Sequence, residues 1–234
     1  SIRKRNWQQI KASLDNPSFM LDEQQLFDRE FIEVLNFHAP GIAAVRDDSG
    51  AYHIDTLGKS IYSKRFIRTF GFYCARAAVV DLDGWHHIDE QGQEVYAHRF
   101  LWVGNFQEDI CPVRLQTGKY IHINLAGERI GSEEYLYCGD FKDGISSVQL
   151  LSGLYRHILS NGHPLHEQTY LELGTYHKCY ATARDARGWC HIDKCGLPLY
   201  DERYWTVEPF YNGIARVRDL SGTLCLIDEK GQRI

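Results

Sequence analysis

Gly84-Trp85-His86-His87-Ile88-Asp89-Glu90-Gln91-Gly92 decides the fold, because it returns as Gly188-Trp189-Cys190-His191-Ile192-Asp193-Lys194-Cys195-Gly196. Weaker copies stand at His53-Ile54-Asp55, His122-Ile123-Asn124, His157-Ile158-Leu159 and Leu226-Ile227-Asp228. A glycine closes each copy, at Gly58, Gly92, Gly127, Gly162, Gly196 and Gly231, in steps of 34, 35, 35, 34 and 35 residues. A second column, Phe31, Phe66, Phe100, Tyr135, Tyr170 and Tyr204, steps by 35, 34, 35, 35 and 34. Two independent columns with matched steps define six repeats, and a fixed period of this length marks a repeat architecture.

Each repeat reads as short strands. The first runs from its aromatic to another six residues on, as in Phe66 to Phe72 or Tyr170 to Tyr176. Even spacing puts both rings on one strand face. Leu101 with Val103, and Leu171 with Leu173, make the other face apolar as well, which predicts burial on both faces. The second strand carries a small residue (Ala43, Ala78, Cys111, Ser146, Ala181, Ala215), suited to close approach of a neighbouring sheet. Glycine turns separate it from the His-Ile-Asp strand. A short fourth strand follows, such as Glu94-Val95-Tyr96 or Pro198-Leu199-Tyr200.

The fold expected is therefore all-β: six repeats of 34–35 residues, beginning near 31, 66, 100, 135, 170 and 204, closing into a propeller-like ring. The last repeat reaches Gly231-Gln232-Arg233-Ile234 where its fourth strand begins, and Gln25–Phe31 has the phase of the continuation. An N-terminal strand completing the last sheet is a known way to latch such rings and removes exposed edges. The rival is an open β-solenoid with a cap. Residues 25–234 form the repeat domain, and residues 1–24 are expected to be a short helical or irregular capping segment, with Trp7, Ile10, Leu14 and Met20 apolar and Asn16-Pro17 as a breaker.

Composition narrows the function. The 234 residues are 44% hydrophobic and 13% aromatic, enough for a core, and the net charge of −5 argues against a nucleic-acid binder, which needs a basic face. The one basic cluster is Arg3-Lys4-Arg5. No apolar run approaches the 18 or so residues of a membrane span. The seven cysteines include no C-x-x-C pair, and most fall in apolar strand positions, so reduced thiols and a cytoplasmic location are expected.

With its copies, the stretch from Gly84 to Gly92 resembles the bacterial WG-type β-repeat family. Asn212-Gly213-Ile214-Ala215-Arg216-Val217 followed by Leu226-Ile227-Asp228-Glu229-Lys230-Gly231 fits the same pattern. The resemblance spans roughly residues 31 to 234. It departs where the family's glycine after Trp is replaced by His86 or Cys190, and Trp survives in two repeats only, which marks a divergent branch. The resemblance implies a module found alone or attached to other domains, methyltransferases among them. It implies no catalytic residues.

Two columns could carry chemistry. His53, His87, His122, His157 and His191, with Leu226 in the sixth repeat, could ligate a metal or sense pH. The favoured reading is structural, each ring bonding a turn, its Asp or the chain beside it, and no metal or other cofactor is expected. Arg46, Arg114, Arg184 and Arg218 could form an anion site, against a bland reading as partners of nearby carboxylates. Trp85, Trp189, Trp102 and Trp205 could stack on a sugar or peptide, but are expected in the core. No G-x-S-x-G, H-E-x-x-H or phosphate-binding glycine loop is present. The expectation is a non-catalytic binding or scaffolding module for a protein, peptide or glycan, without nucleic-acid or membrane partners. The alternatives are a small anion- or metal-binding domain using the Arg or His column, and an accessory domain of a larger enzyme.

Overall fold

Strand-forming residues between tight turns leave little room for helix. In the computed structural model, which describes residues 5–234, the one helical element is a 3₁₀ turn at Trp7–Gln9. Seven sheets form among the described residues, six of three strands and one of four, with antiparallel pairing. The chain divides into two compact units, residues 1–118 with 123–128, and residues 119–122 with 129–234.

The first unit holds a sheet ahead of the repeats, Lys11–Ser13, Ser18–Leu21 and Gln24–Leu26. Next come the first repeat (Glu33–Val34, Ala43–Asp47, Gly50–Ile54), the second (Arg68–Tyr73, Arg76–Asp81, Gly84–Ile88), and the opening strands of the third (Trp102–Val103, Ile110–Arg114). The second unit holds the fourth repeat (Tyr137–Cys138, Ile145–Gln149, Tyr155–Leu159), the fifth (Glu172–Leu173, Ala181–Asp185, Gly188–Ile192) and the sixth (Thr206–Val207, Ile214–Arg218, Leu224–Asp228). First and second strands meet through turns such as Cys74-Ala75, Asp143-Gly144 and Asn212-Gly213, both residues at positive φ, the geometry that matches the twist of a tight hairpin.

Alternation along the second and third strands builds the core. Val45, Val79, Val113, Val148 and Val217 are buried together with Ile54, Ile88, Ile123, Ile158, Ile192 and Ile227. The small column is buried too, but its second-repeat member is Ala77, not Ala78: Ala43 pairs with Ile54 and Ala77 with Ile88. The slip arises because Ala39-Pro40-Gly41 is a three-residue turn in the first repeat, whereas Cys74-Ala75 is a two-residue turn in the second. The equivalent of Arg46 in the second repeat is accordingly Val80.

Four other expectations are corrected. The N-terminal segment is a three-stranded sheet instead of a helix. Asp15-Asn16-Pro17 and the positive-φ pair Asp22-Glu23 turn the chain twice, and Phe19 is driven into the core against Phe27, Phe31 and Phe37. Gln24–Leu26 pairs with Ser18–Leu21, so that stretch is used within the N-terminal sheet, while Ile234 bonds back to Leu226 of its own repeat. The first strands are not buried on both faces: Leu101 and Leu171 are exposed, as are Trp102 and Trp205. Only Cys111, Cys138 and Cys190 are buried; Cys74, Cys179 and Cys195 are exposed, and all seven are free thiols. Of the basic cluster, residues 3 and 4 lie outside the described residues, and Arg5 donates to the Thr56 carbonyl at 2.9 Å.

Candidate functional site

The repeat-defining His-Ile-Asp places three side chains in three directions. Ile points into the core. Asp folds onto its own turn: the Asp89 Oδ1 accepts the backbone N–H groups of Gln91 and Gln93, both at 2.9 Å. Asp55, Asn124, Asp193 and Asp228 repeat this pattern, a turn closed by a short polar side chain. The closing glycine sits in that turn at φ +78° in Gly92, and a Cβ there would lie 2.5 Å from the Tyr62 ring of the preceding repeat.

His reaches the other way. Its Nε2 bonds a carbonyl 17 residues on, in or just past the first strand of the following repeat: His53 to Phe70 at 2.6 Å, His87 to Gly104 at 2.9 Å and His122 to Gly139 at 2.7 Å. His157 does the same with Gly174 at 2.9 Å, and His191 with Glu208 at 2.7 Å. A carbonyl only accepts, so Nε2 carries the proton. Nδ1 is then the acceptor for the hydroxyls of Tyr62, Tyr96 and Tyr200, at 2.5, 2.6 and 2.6 Å from His53, His87 and His191. Each ring also lies on an aromatic of the following repeat, as His87 on Phe106 at 4.7 Å and His191 on Phe210 at 4.1 Å between centroids.

All five histidines are buried, and desolvation holds them neutral. It lowers His53, His87 and His157 to about 4 and depresses His122 and His191 in the same direction, against the opposing pull of the bonded carbonyls. Burial likewise pushes the partner phenols of Tyr62, Tyr96 and Tyr200 up. Among the described residues, no group of three or more His, Cys, Asp or Glu side chains is placed to hold a metal ion.

The arginine column lies at or next to the end of four of the second strands, and each guanidinium is engaged on its own sheet. Arg46 meets Glu33 at 3.4 Å and Arg184 meets Glu172 at 2.5 Å, both cross-strand neighbours. Arg114 and Arg218 donate to the turn carbonyls of Gly118 and Gly222, at 2.9 and 3.0 Å. Arg46 and Arg114 belong to the first compact unit, Arg184 and Arg218 to the second.

Arg184 has a second setting that spacing did not reveal. It lines a cleft of about 390 Å³ between the fifth and sixth repeats with Arg187, Trp189, Tyr204, Trp205 and Leu220. Trp205 stands where the other repeats carry Ile32, Ile67, Leu101, Leu136 and Leu171. All six side chains are exposed, from 39% at Leu171 to 65% at Trp205. This column follows the first-strand aromatic directly in every repeat, and its exposure was missed because an apolar residue in a strand reads as core.

The family model of the WG containing repeat matches residues 88–120. None of the curated proteins compared with the chain matches it. Among solved structures, a eukaryotic initiation factor is similar with a TM-score of 0.61 at 10% identity, over 96% of this chain and 71% of that one. BamB from Moraxella catarrhalis has a TM-score of 0.49 at 13% identity, covering 95% of this chain and 77% of its own. The computationally designed Ika8 protein has 0.48 at 14% identity, covering 96% and 82%. At such identities the likeness is one of fold: a β-repeat protein of the propeller-like class.

Proposed function

We propose that the chain is a non-catalytic interaction module of divergent WG-type repeats, holding a protein or peptide partner on exposed first-strand side chains. The observation that carries this reading is the column Ile32, Ile67, Leu101, Leu136, Leu171 and Trp205, one exposed large apolar side chain at the same position of six repeats. Scattered exposed apolar residues are ordinary, and it is their recurrence at one structural position that supports reading them as a contact surface. The His–Tyr pairs of the first, second and fifth repeats and the turn Asp or Asn of five repeats bond within the scaffold. Residence in the cytoplasm belongs to the same proposal, and seven cysteines without a disulfide support it. Leu101→Glu and Leu171→Glu, each on an exposed side chain, should abolish capture of the native partner in a pull-down while leaving the melting temperature within a degree or two. Retained capture by both variants removes the column from the reading.

The Arg184 cleft favours one alternative, a small anionic ligand with an apolar ring, stacked on Trp205 and held by the Arg184 and Arg187 guanidinium groups. Arg184→Ala would then weaken binding of such a ligand by tenfold or more with the fold intact.

A further inference from the structure

The repeats pair edge to edge as well as face to face. Ala51 and Phe66 exchange both backbone hydrogen bonds at 2.9 and 2.8 Å, and Trp85 and Phe100 do so at 3.0 and 2.9 Å. Tyr155 with Tyr170 and Trp189 with Tyr204 repeat the exchange. In each case the start of a third strand receives the first aromatic of the next repeat. Leu224 is the sixth-repeat member of this column, and among the described residues its edge receives no such strand.

The face beside that edge is open too. Ile42 and Ile145 are 7% and 6% exposed under the following repeat, whereas Ile214 in the same column is 40% exposed. The five histidines are buried, whereas Leu226 in their column is also 40% exposed. Opposite the histidines stand the small residues Ala44, Ala78, Ser147 and Thr182; opposite Leu226 stands Arg216. This face has lost both features by which the others take a further repeat, the Nε2 donor and the low ground across from it. It retains the free edge and an apolar strip of Ile214, Leu224 and Leu226, flanked by Arg216 and Arg218, with Glu208 at 3.9 Å from Arg216 as a weak exposed partner.

We infer that the outward edge and face of the sixth repeat form a docking site for an extended polypeptide segment with two aromatic residues six apart and a carboxylate between them. The occupant's chemistry follows from the interface already built four times in this chain. The first aromatic of the segment exchanges backbone hydrogen bonds with Leu224, adding a strand to the sheet. The second packs on Leu226 as Phe106 packs on His87. The carboxylate meets Arg216, which a following repeat would leave stranded. The inference rests on the reading of the chain as an interaction module and says where and what it binds.

A labelled peptide of residues 204–211, Tyr-Trp-Thr-Val-Glu-Pro-Phe-Tyr, has both aromatics and the carboxylate, and its binding can be followed by fluorescence anisotropy. The intact protein should bind it. Leu226→Asp should weaken binding at least tenfold without shifting the thermal melt, and so should N-methylation of the peptide's first aromatic, which removes the donor to Leu224. Arg216→Ala should weaken it less. Equal binding of the N-methylated peptide, or of one with its aromatics five apart, overturns the inference. So does absence of binding, whether the protein sediments as a dimer, with a second copy on the edge, or as a monomer whose Leu224 amide is protected from exchange. If a native partner is still captured by Leu226→Asp but lost on Leu101→Glu, the module reading stands and the edge inference falls.

Discussion

At the scale of a residue, each histidine is a neutral cross-link between successive repeats. In His53, His87 and His191, protonation would put a second N–H on Nδ1, facing a tyrosine hydroxyl that it now accepts from, inside a buried site. The free side chain titrates near 6.5, and His53, His87 and His157 are lowered to about 4 by burial. Between those values the unfolded chain holds the proton and the native chain does not. Stability is therefore complete above about pH 6.5 and is lost as pH falls toward 4, each such histidine adding to the slope. Urea melts from pH 7.5 to 4.5 should show this slope, and a flat profile would contradict the buried neutral rings. His87→Ala leaves the Tyr96 hydroxyl and the Gly104 carbonyl without their partner and should cost roughly 1–3 kcal/mol at neutral pH. Gly92→Ala faces a positive φ and the Tyr62 ring together, and should cost roughly 2–4 kcal/mol. The sequence alone made the histidines a column and suggested bonding to an adjacent chain. It did not say which atom 17 residues away receives the bond, because that depends on how far one sheet overlaps the next.

At the scale of an element, turn length decides what was legible. Strand existence followed from aromatic spacing and glycine turns. The register of the second repeat did not, because a turn one residue shorter than its neighbour's moves every later position of the hairpin. The N-terminal sheet was hidden for a related reason: Trp7, Ile10, Leu14 and Met20 suggest an amphipathic helix, but Leu14 is exposed and the residue that matters is Phe19. Phe19 is fully buried among Phe27, Phe31 and Phe37, so Phe19→Ala should cost roughly 3–5 kcal/mol, as large-to-small changes in a packed core do. Leu14→Ala should change stability by less than about 0.5 kcal/mol. A helix with its apolar face on Leu14 would give the opposite order. Trp205→Ala belongs with the neutral changes for stability, since the ring is mostly exposed, and with the damaging ones for binding at the cleft. The candidate surface was illegible for the reason the core was legible: a strand residue shows its polarity in sequence, but not whether another sheet covers it.

At the scale of the whole molecule, repeat proteins hold together by nearest-neighbour contacts, so damage at one end should fade with distance along the chain. Residues 1–30 supply Phe19 and Phe27, the latter lying over Gly58 of the first repeat, and Arg5 and Arg29 bond the carbonyls of Thr56 and Gly58. Deleting them uncovers Phe31, Phe37 and the Tyr52–Ile54 strand, which form one buried cluster with Ile10 and Phe19. Because Gln24–Leu26 pairs within the N-terminal sheet, the loss should be greatest in that cluster and least in the sixth repeat. Hydrogen exchange on the truncated protein is the direct measurement. Amides of Ala43–Asp47 and Gly50–Ile54 should lose protection by orders of magnitude, while those of Ile214–Arg218 should keep nearly all of theirs. A uniform loss through both compact units would show instead that the N-terminal strand closes the last sheet, as a latched ring requires, and that the sixth repeat depends on it for its own cooperativity.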